Sequence, residues 1–113
     1  KLCNRAKSEL KNSGYKKISI IEVPGSFEVP TVISKIINKY DGFIAIGCII
    51  KGETANFDLI SSAITNAIMN LSINYKKPIG NSIITLFNKK QALKRFDRGK
   101  EAARAVIEVL KIK

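Results

Sequence analysis

Phe43-Ile44-Ala45-Ile46-Gly47-Cys48-Ile49-Ile50-Lys51-Gly52-Glu53-Thr54-Ala55-Asn56-Phe57-Asp58 is the stretch that decides the fold. Its first half, Phe43 to Ile50, is apolar almost throughout, the pattern of a strand covered on both faces. Its second half is a Gly-containing turn. A helical pattern follows from Leu59 to Leu71, with Ile60, Ile64, Ala67, Ile68 and Leu71 on one face. Strand, turn and helix in that order build anion sites. The helix N-terminus offers unpaired N–H groups and the positive end of its dipole. Gly52 lets the backbone approach a ligand, and Thr54 adds a hydroxyl. Ligands of open α/β sheets bind just past the carboxyl ends of the strands. Residues 52–54 are therefore expected to hold a phosphate or carboxylate. The alternative is an ordinary turn in which Gly52 serves conformation and Thr54 caps the helix.

Upstream, Leu2, Ala6 and Leu10 recur at helical spacing, and Gly14 is placed to close that helix. Ile18 to Val23 is rich in β-branched residues and predicts a strand. Pro24-Gly25 marks a turn. Pro30 then suits the first turn of a helix whose stripe is Val32, Ile33, Ile36, Ile37 and Tyr40. Downstream, Lys76-Lys77-Pro78 ends the helix after the decisive stretch, and Ile79 to Phe87 predicts another strand with Asn81 inside it. Asn88 and Gln91 resemble a capping box opening a short helix, 89–96. A last helix is expected over 100–112, with Ala103, Val106, Ile107 and Leu110 inward. Alternating strands and helices imply an α/β fold with a parallel sheet between helix layers, in one domain covering residues 1–113.

Composition narrows the function. The chain has 113 residues and is 45% hydrophobic, a normal share for a chain with one core. It contains no apolar run near the ~20 residues of a membrane span, so no membrane partner is expected. It has no secretory signal, and it begins Lys1-Leu2-Cys3 already in a helical pattern. The natural N-terminus is therefore expected to lie outside it. Cys3 and Cys48 belong to no CxxC pair, and there is no histidine. That argues against a zinc site and suits a reducing cytoplasm. Cys48, inside the apolar run, is expected to be buried. The net charge of +11 raises nucleic acid as a partner. Against it, the cations are spread over nearly every segment. Only Arg5, Arg95, Arg98 and Arg104 are arginines, the better readers of bases and phosphates. Solvated lysine faces are the reading adopted, with attraction of an anionic substrate as a by-product.

Two further regions face the carboxyl edge of such a sheet. In Gly25-Ser26-Phe27-Glu28, the Phe27 ring can stack on a planar ligand and Glu28 can accept hydrogen bonds. Core packing for Phe27, and a charge favourable to a helix N-terminus for Glu28, are the structural alternatives. Arg95 can clamp a phosphate or be solvated. Asn81 can reach a ligand or occupy an exposed or edge position.

Taken together, these residues resemble the lumazine synthases. The resemblance is carried by Val23-Pro24-Gly25-Ser26-Phe27-Glu28-Val29-Pro30, then Ile46-Gly47-Cys48-Ile49-Ile50-Lys51-Gly52-Glu53-Thr54 and Phe57-Asp58. It continues through Lys77-Pro78-Ile79, Gln91-Ala92, Arg95 and Glu101-Ala102-Ala103. It implies a flavodoxin-like three-layer sandwich with a parallel sheet flanked by helices. The implied activity joins 5-amino-6-(D-ribitylamino)uracil to 3,4-dihydroxy-2-butanone 4-phosphate, giving 6,7-dimethyl-8-ribityllumazine for riboflavin. It implies no metal or organic cofactor, and a homo-oligomer of pentamers or their multiples with each pocket shared between neighbours.

By position, the resemblance assigns Ser26, Phe27, Glu28, Cys48, Ile49, Ile50 and Asn81 to the pyrimidine and its ribityl chain. It assigns Glu53, Thr54 and Arg95 to the butanone phosphate. Asn81 and Arg95 would come from the adjacent subunit. The chain also departs from the family. The family's first strand, inside the sheet, and the aromatic residue after it are absent from this sequence. Arg98 stands where the family often has Lys. Asn56 stands where the family carries its proton-transferring histidine. A second expectation follows from Asn56: a shell-forming homologue with weak or no catalysis.

Overall fold

A βαβ unit occupies the centre of the computed structural model, which describes residues 2–50, 56–86 and 98–112. The first strand, β1, is Phe43–Ile50; helix α3 is Asn56–Tyr75; the second strand, β2, is Ile79–Leu86. The strands are parallel, with Phe43 opposite Ile79 and Ile50 opposite Leu86. Before them come α1, Leu2–Asn12, a 3-10 turn, Ser26–Glu28, and α2, Val29–Ile36; after them comes α4, Arg98–Leu110. Helix 89–96, expected from the capping signal, falls outside the described residues.

Local chemistry explains where the helices stop. Gly14, at φ +93°, closes α1: its N–H donates to Lys11 O at 3.0 Å and the Tyr15 N–H to Leu10 O at 3.0 Å. This paired pattern needs a left-handed residue, which glycine adopts without cost from a Cβ. Helix α3 ends with Lys76 in the same region, φ 55°, where a side chain costs about 1–2 kcal/mol. The compensations surround it. Lys77 N–H donates to Ser72 O at 3.2 Å, and Ser72 Oγ donates to Lys77 O at 2.7 Å. Lys77 Nζ donates to Ile37 O at 2.7 Å, just past the end of α2. Pro30 sits in the first turn of α2, as its missing N–H favours.

Helices α2 and α3 share one face of the sheet. There Val29, Ile33, Ile37, Phe43, Ala45, Ile64 and Ile68 form a buried cluster, with Ile79 and Ile83 of β2 packed against it. Burial of each large apolar side chain contributes about 1.5–3 kcal/mol. Helices α1 and α4 pack on the other face, burying Ala6, Ala102, Ala103, Val106 and Ile107. Approach on this side is close because Gly80 has no side chain: a Cβ there would lie 2.5 Å from Ala102 O. Arg104 Nε on α4 donates to Glu9 Oε1 on α1 at 2.9 Å, tying the two helices together.

The strand expected at 18–23 is not in the sheet; among the described residues the sheet has two strands. Residues 15–23 run as irregular chain, with Ile20 56% and Ile21 48% exposed. β-Branched residues favour extended backbone, but a strand also needs a neighbour for its N–H and C=O groups. Here an open groove of about 1300 Å³, lined by Ile18, Ile20 and Val23 and by Ile44 and Ile46 of β1, separates the segment from the sheet.

Candidate active site

The candidate site is built around the 3-10 turn and the strand it lies on. The 3-10 turn Ser26–Glu28 packs against both β1 and α3, and Asn56 begins α3. The turn is anchored behind by buried Val29 and closed by the Glu28 N–H donating to Gly25 O at 3.1 Å. Its front is open: Phe27 is 61% exposed. That exposure disposes of core packing as the role of Phe27 within this chain, since a ring held for the core would be covered.

Ser26 and Gly47 touch. A Cβ built on Gly47 would stand 2.5 Å from Ser26 Oγ and 3.6 Å from Ser26 Cβ, so the hydroxyl occupies the space a side chain would take. Two blocks of sequence about twenty residues apart are thereby joined. Glu28 is the residue before α2 and makes no capping hydrogen bond. Its carboxylate folds back over the turn, with Oε1 3.1 Å from where a Gly25 Cβ would be. It lies beside a helix N-terminus, whose dipole favours an anion.

Cys48 corrects an expectation: its thiol is exposed, not buried. The reason is the alternation of β1. Phe43 and Ala45 face the α2/α3 cluster, as does partly buried Ile49. Cys48 points to the opposite face, near the strand end, where the α1/α4 layer leaves it uncovered. Ile50 completes β1.

Asn81 lies on β2, opposite Ala45 in register and exposed. Its Oδ1 accepts the Ile83 N–H at 2.9 Å. That N–H points away from β1, so the amide occupies the outer edge of β2. Asn81 is exposed, which fits both the ligand contact and the exposed or edge position weighed for it. Glu53, Thr54 and Arg95, with the proposed anion turn 52–54, lie outside the described residues. Among the described residues no three His, Cys, Asp or Glu side chains cluster as metal ligands. Sequence reasoning missed the Ser26–Gly47 contact. Its signal was present: an isolated glycine in an apolar strand marks a close approach.

The whole chain, residues 1–113, matches the family model described as 6,7-dimethyl-8-ribityllumazine synthase. Proteins of that name resemble it along most of its length. The one from Polaromonas sp. strain JS666 is 38% identical over 113 residues, covering 96% of this chain and 73% of the relative. The one from Agrobacterium fabrum strain C58 is 36% identical over 124 residues, covering 99% and 83%. A third, from Rhodopseudomonas palustris strain BisA53, is 36% identical over 120 residues, covering 96% and 73%. With the full-length match and relatives of that name along most of its length, the chain belongs to the 6,7-dimethyl-8-ribityllumazine synthase family.

Proposed function

We propose that the chain is a transferase of riboflavin biosynthesis. It condenses 5-amino-6-(D-ribitylamino)uracil with 3,4-dihydroxy-2-butanone 4-phosphate to 6,7-dimethyl-8-ribityllumazine, releasing phosphate and water. The observation that carries this reading is the family match over residues 1–113. In it, Ser26, Phe27 and Glu28 hold the pyrimidine and ribityl chain, with Cys48, Ile49, Ile50 and, from a neighbouring subunit, Asn81. Exposed Phe27 offers a stacking face, and Glu28 an acceptor at the start of α2. Glu53, Thr54 and Arg95 hold the butanone phosphate.

The pyrimidine amino group attacks the butanone carbonyl; proton transfers, phosphate loss, ring closure and dehydration follow. Asn56 can donate and accept hydrogen bonds but cannot titrate. The missing acid–base group is worth on the order of 10²–10⁴-fold. Holding two reactants together supplies effective molarities of about 10⁵–10⁸ M in favourable cases, so positioning leaves a slow but real enzyme. Its protons pass through water, substrate phosphate or Glu53. The reading calls for no metal or organic cofactor.

The finer architecture belongs to the same reading: one flavodoxin-like domain, a homopentamer or a multiple of it, in the cytoplasm. Helix α3 supports association. Its buried stripe is Ile64 and Ile68, yet Leu59 at 70%, Met69 at 57% and Ile73 at 63% exposure form a second apolar stripe on the opposite side. A helix apolar on two faces is one that packs on both. The groove beside β1 supports a further strand on that edge, which would cover backbone groups β1 leaves open.

The test is to mix the protein with both substrates and follow lumazine absorbance against the uncatalysed rate. A rate no higher than uncatalysed, from an intact assembly, favours the second reading, a shell-forming homologue, for which Asn56 is the argument.

A further inference from the structure

We infer that Gly47 is a positioning residue: its missing side chain is the seat of the Ser26 hydroxyl, and this seat sets how close the Ser26–Glu28 turn stands to β1. The inference rests on the proposed function in one respect, that the turn holds the pyrimidine. The geometry itself does not depend on it. Gly47 lies inside an eight-residue strand, where glycine weakens the strand and leaves nothing to pack. Its backbone needs no left-handed conformation, since Gly14 is the glycine with positive φ among the described residues. Turn geometry therefore does not explain it. Contact does. A Cβ would meet Ser26 Oγ at 2.5 Å, while its next neighbours, Ser26 Cβ at 3.6 Å and Ile83 Cγ1 at 3.8 Å, leave ordinary room. One hydroxyl fills the space.

The consequence falls on the turn. Ser26 is its first residue, Phe27 and Glu28 follow directly, and buried Val29 fixes the far end. The obstacle is a side-chain tip, so the clash clears either by rotation of Ser26 about χ1, which takes the hydroxyl out of its seat, or by outward movement of the turn by about 1 Å, a displacement that can cost on the order of 10²-fold in a positioned site. Because the obstacle is a single oxygen, its removal should restore the seat.

The experiment compares the wild type, Gly47→Ala, Ser26→Ala and the double variant in the full chain, using the fluorescence of 6,7-dimethyl-8-ribityllumazine as the binding probe. Exchange of the Glu28 amide hydrogen is measured in parallel. Gly47→Ala should weaken binding ten- to hundredfold and speed Glu28 exchange. Adding Ser26→Ala should return both to the values of Ser26→Ala alone. A merely structural glycine would not be rescued by removing one hydroxyl. Wild-type binding by Gly47→Ala overturns the inference. So does a double variant as weak, or as poorly folded, as Gly47→Ala. Should the wild type itself not bind lumazine, the functional reading fails, and Glu28 exchange alone decides the seat: no acceleration in Gly47→Ala, or none reversed in the double variant, overturns it.

Discussion

Gly80→Ala tests how tightly α4 lies on the sheet. The added Cβ would sit 2.5 Å from Ala102 O, 3.0 Å from Ala102 C and 3.0 Å from Val106 Cγ2. The first two are backbone atoms inside a helix, so no rotamer change can clear them. Either α4 moves outward by about 1 Å or β2 bends away, and each loosens the buried contacts of Ala102, Ala103, Val106 and Ile107. Overpacking of this kind costs typically about 1–3 kcal/mol. Replacing glycine in a strand returns roughly 0.5–1 kcal/mol of backbone entropy. The net expectation is a loss of roughly 0–2.5 kcal/mol, centred near 1 kcal/mol. Urea unfolding at fixed protein concentration, as the proposed association calls for, should show a lower midpoint with an unchanged slope. Adding Val106→Ala should recover little, because the carbonyl remains. A Gly80→Ala protein more stable than the wild type would refute the close approach of α4 to β2.

Lys76→Gly should raise stability by about 1 kcal/mol by relieving the left-handed Lys76, read as a higher thermal midpoint; a lower midpoint would mean that the lysine's contacts outweigh its strain. Asn56→His should raise turnover more than it changes substrate affinity, in steady-state kinetics. Unchanged turnover in a protein that already runs at ordinary family rates would show that position 56 does not limit catalysis. Met69→Lys with Ile73→Lys, placing charge on the exposed stripe of α3, should dissociate the proposed assembly in sedimentation experiments while circular dichroism stays unchanged. Persistence of the wild-type assembly would remove α3 from the interface. Arg95→Ala should weaken use of the butanone phosphate, read as a raised KM, and leave the assembly intact.

Much of the fold was legible because it is local. The apolar run 43–50, the helical stripe that follows it, Gly14 as a left-handed cap and Pro30 in a first helical turn each act within a few residues of themselves, and each is found where expected. The parallel pairing of β1 and β2 follows from a helix lying between two strands. The family, too, was legible, because the two motif blocks stand in the chain in fixed order. For the candidate site, the sequence named the turn 26–28 and the end of β1 but not the contact between them.

By itself, then, the sequence determined where the helices and the two paired strands of the described residues lie, which family the chain joins, and which residue types stand ready for substrate. Only the tertiary structure decided what each segment meets. It left 18–23 without a ladder although its residues favour one, because pairing depends on a neighbour across space and not on propensity. It exposed Cys48 within an apolar strand, because burial depends on which helix covers that face. It set Ser26 into the space above Gly47, a contact that no periodicity encodes, because it joins two segments only after the sheet and its helices have packed.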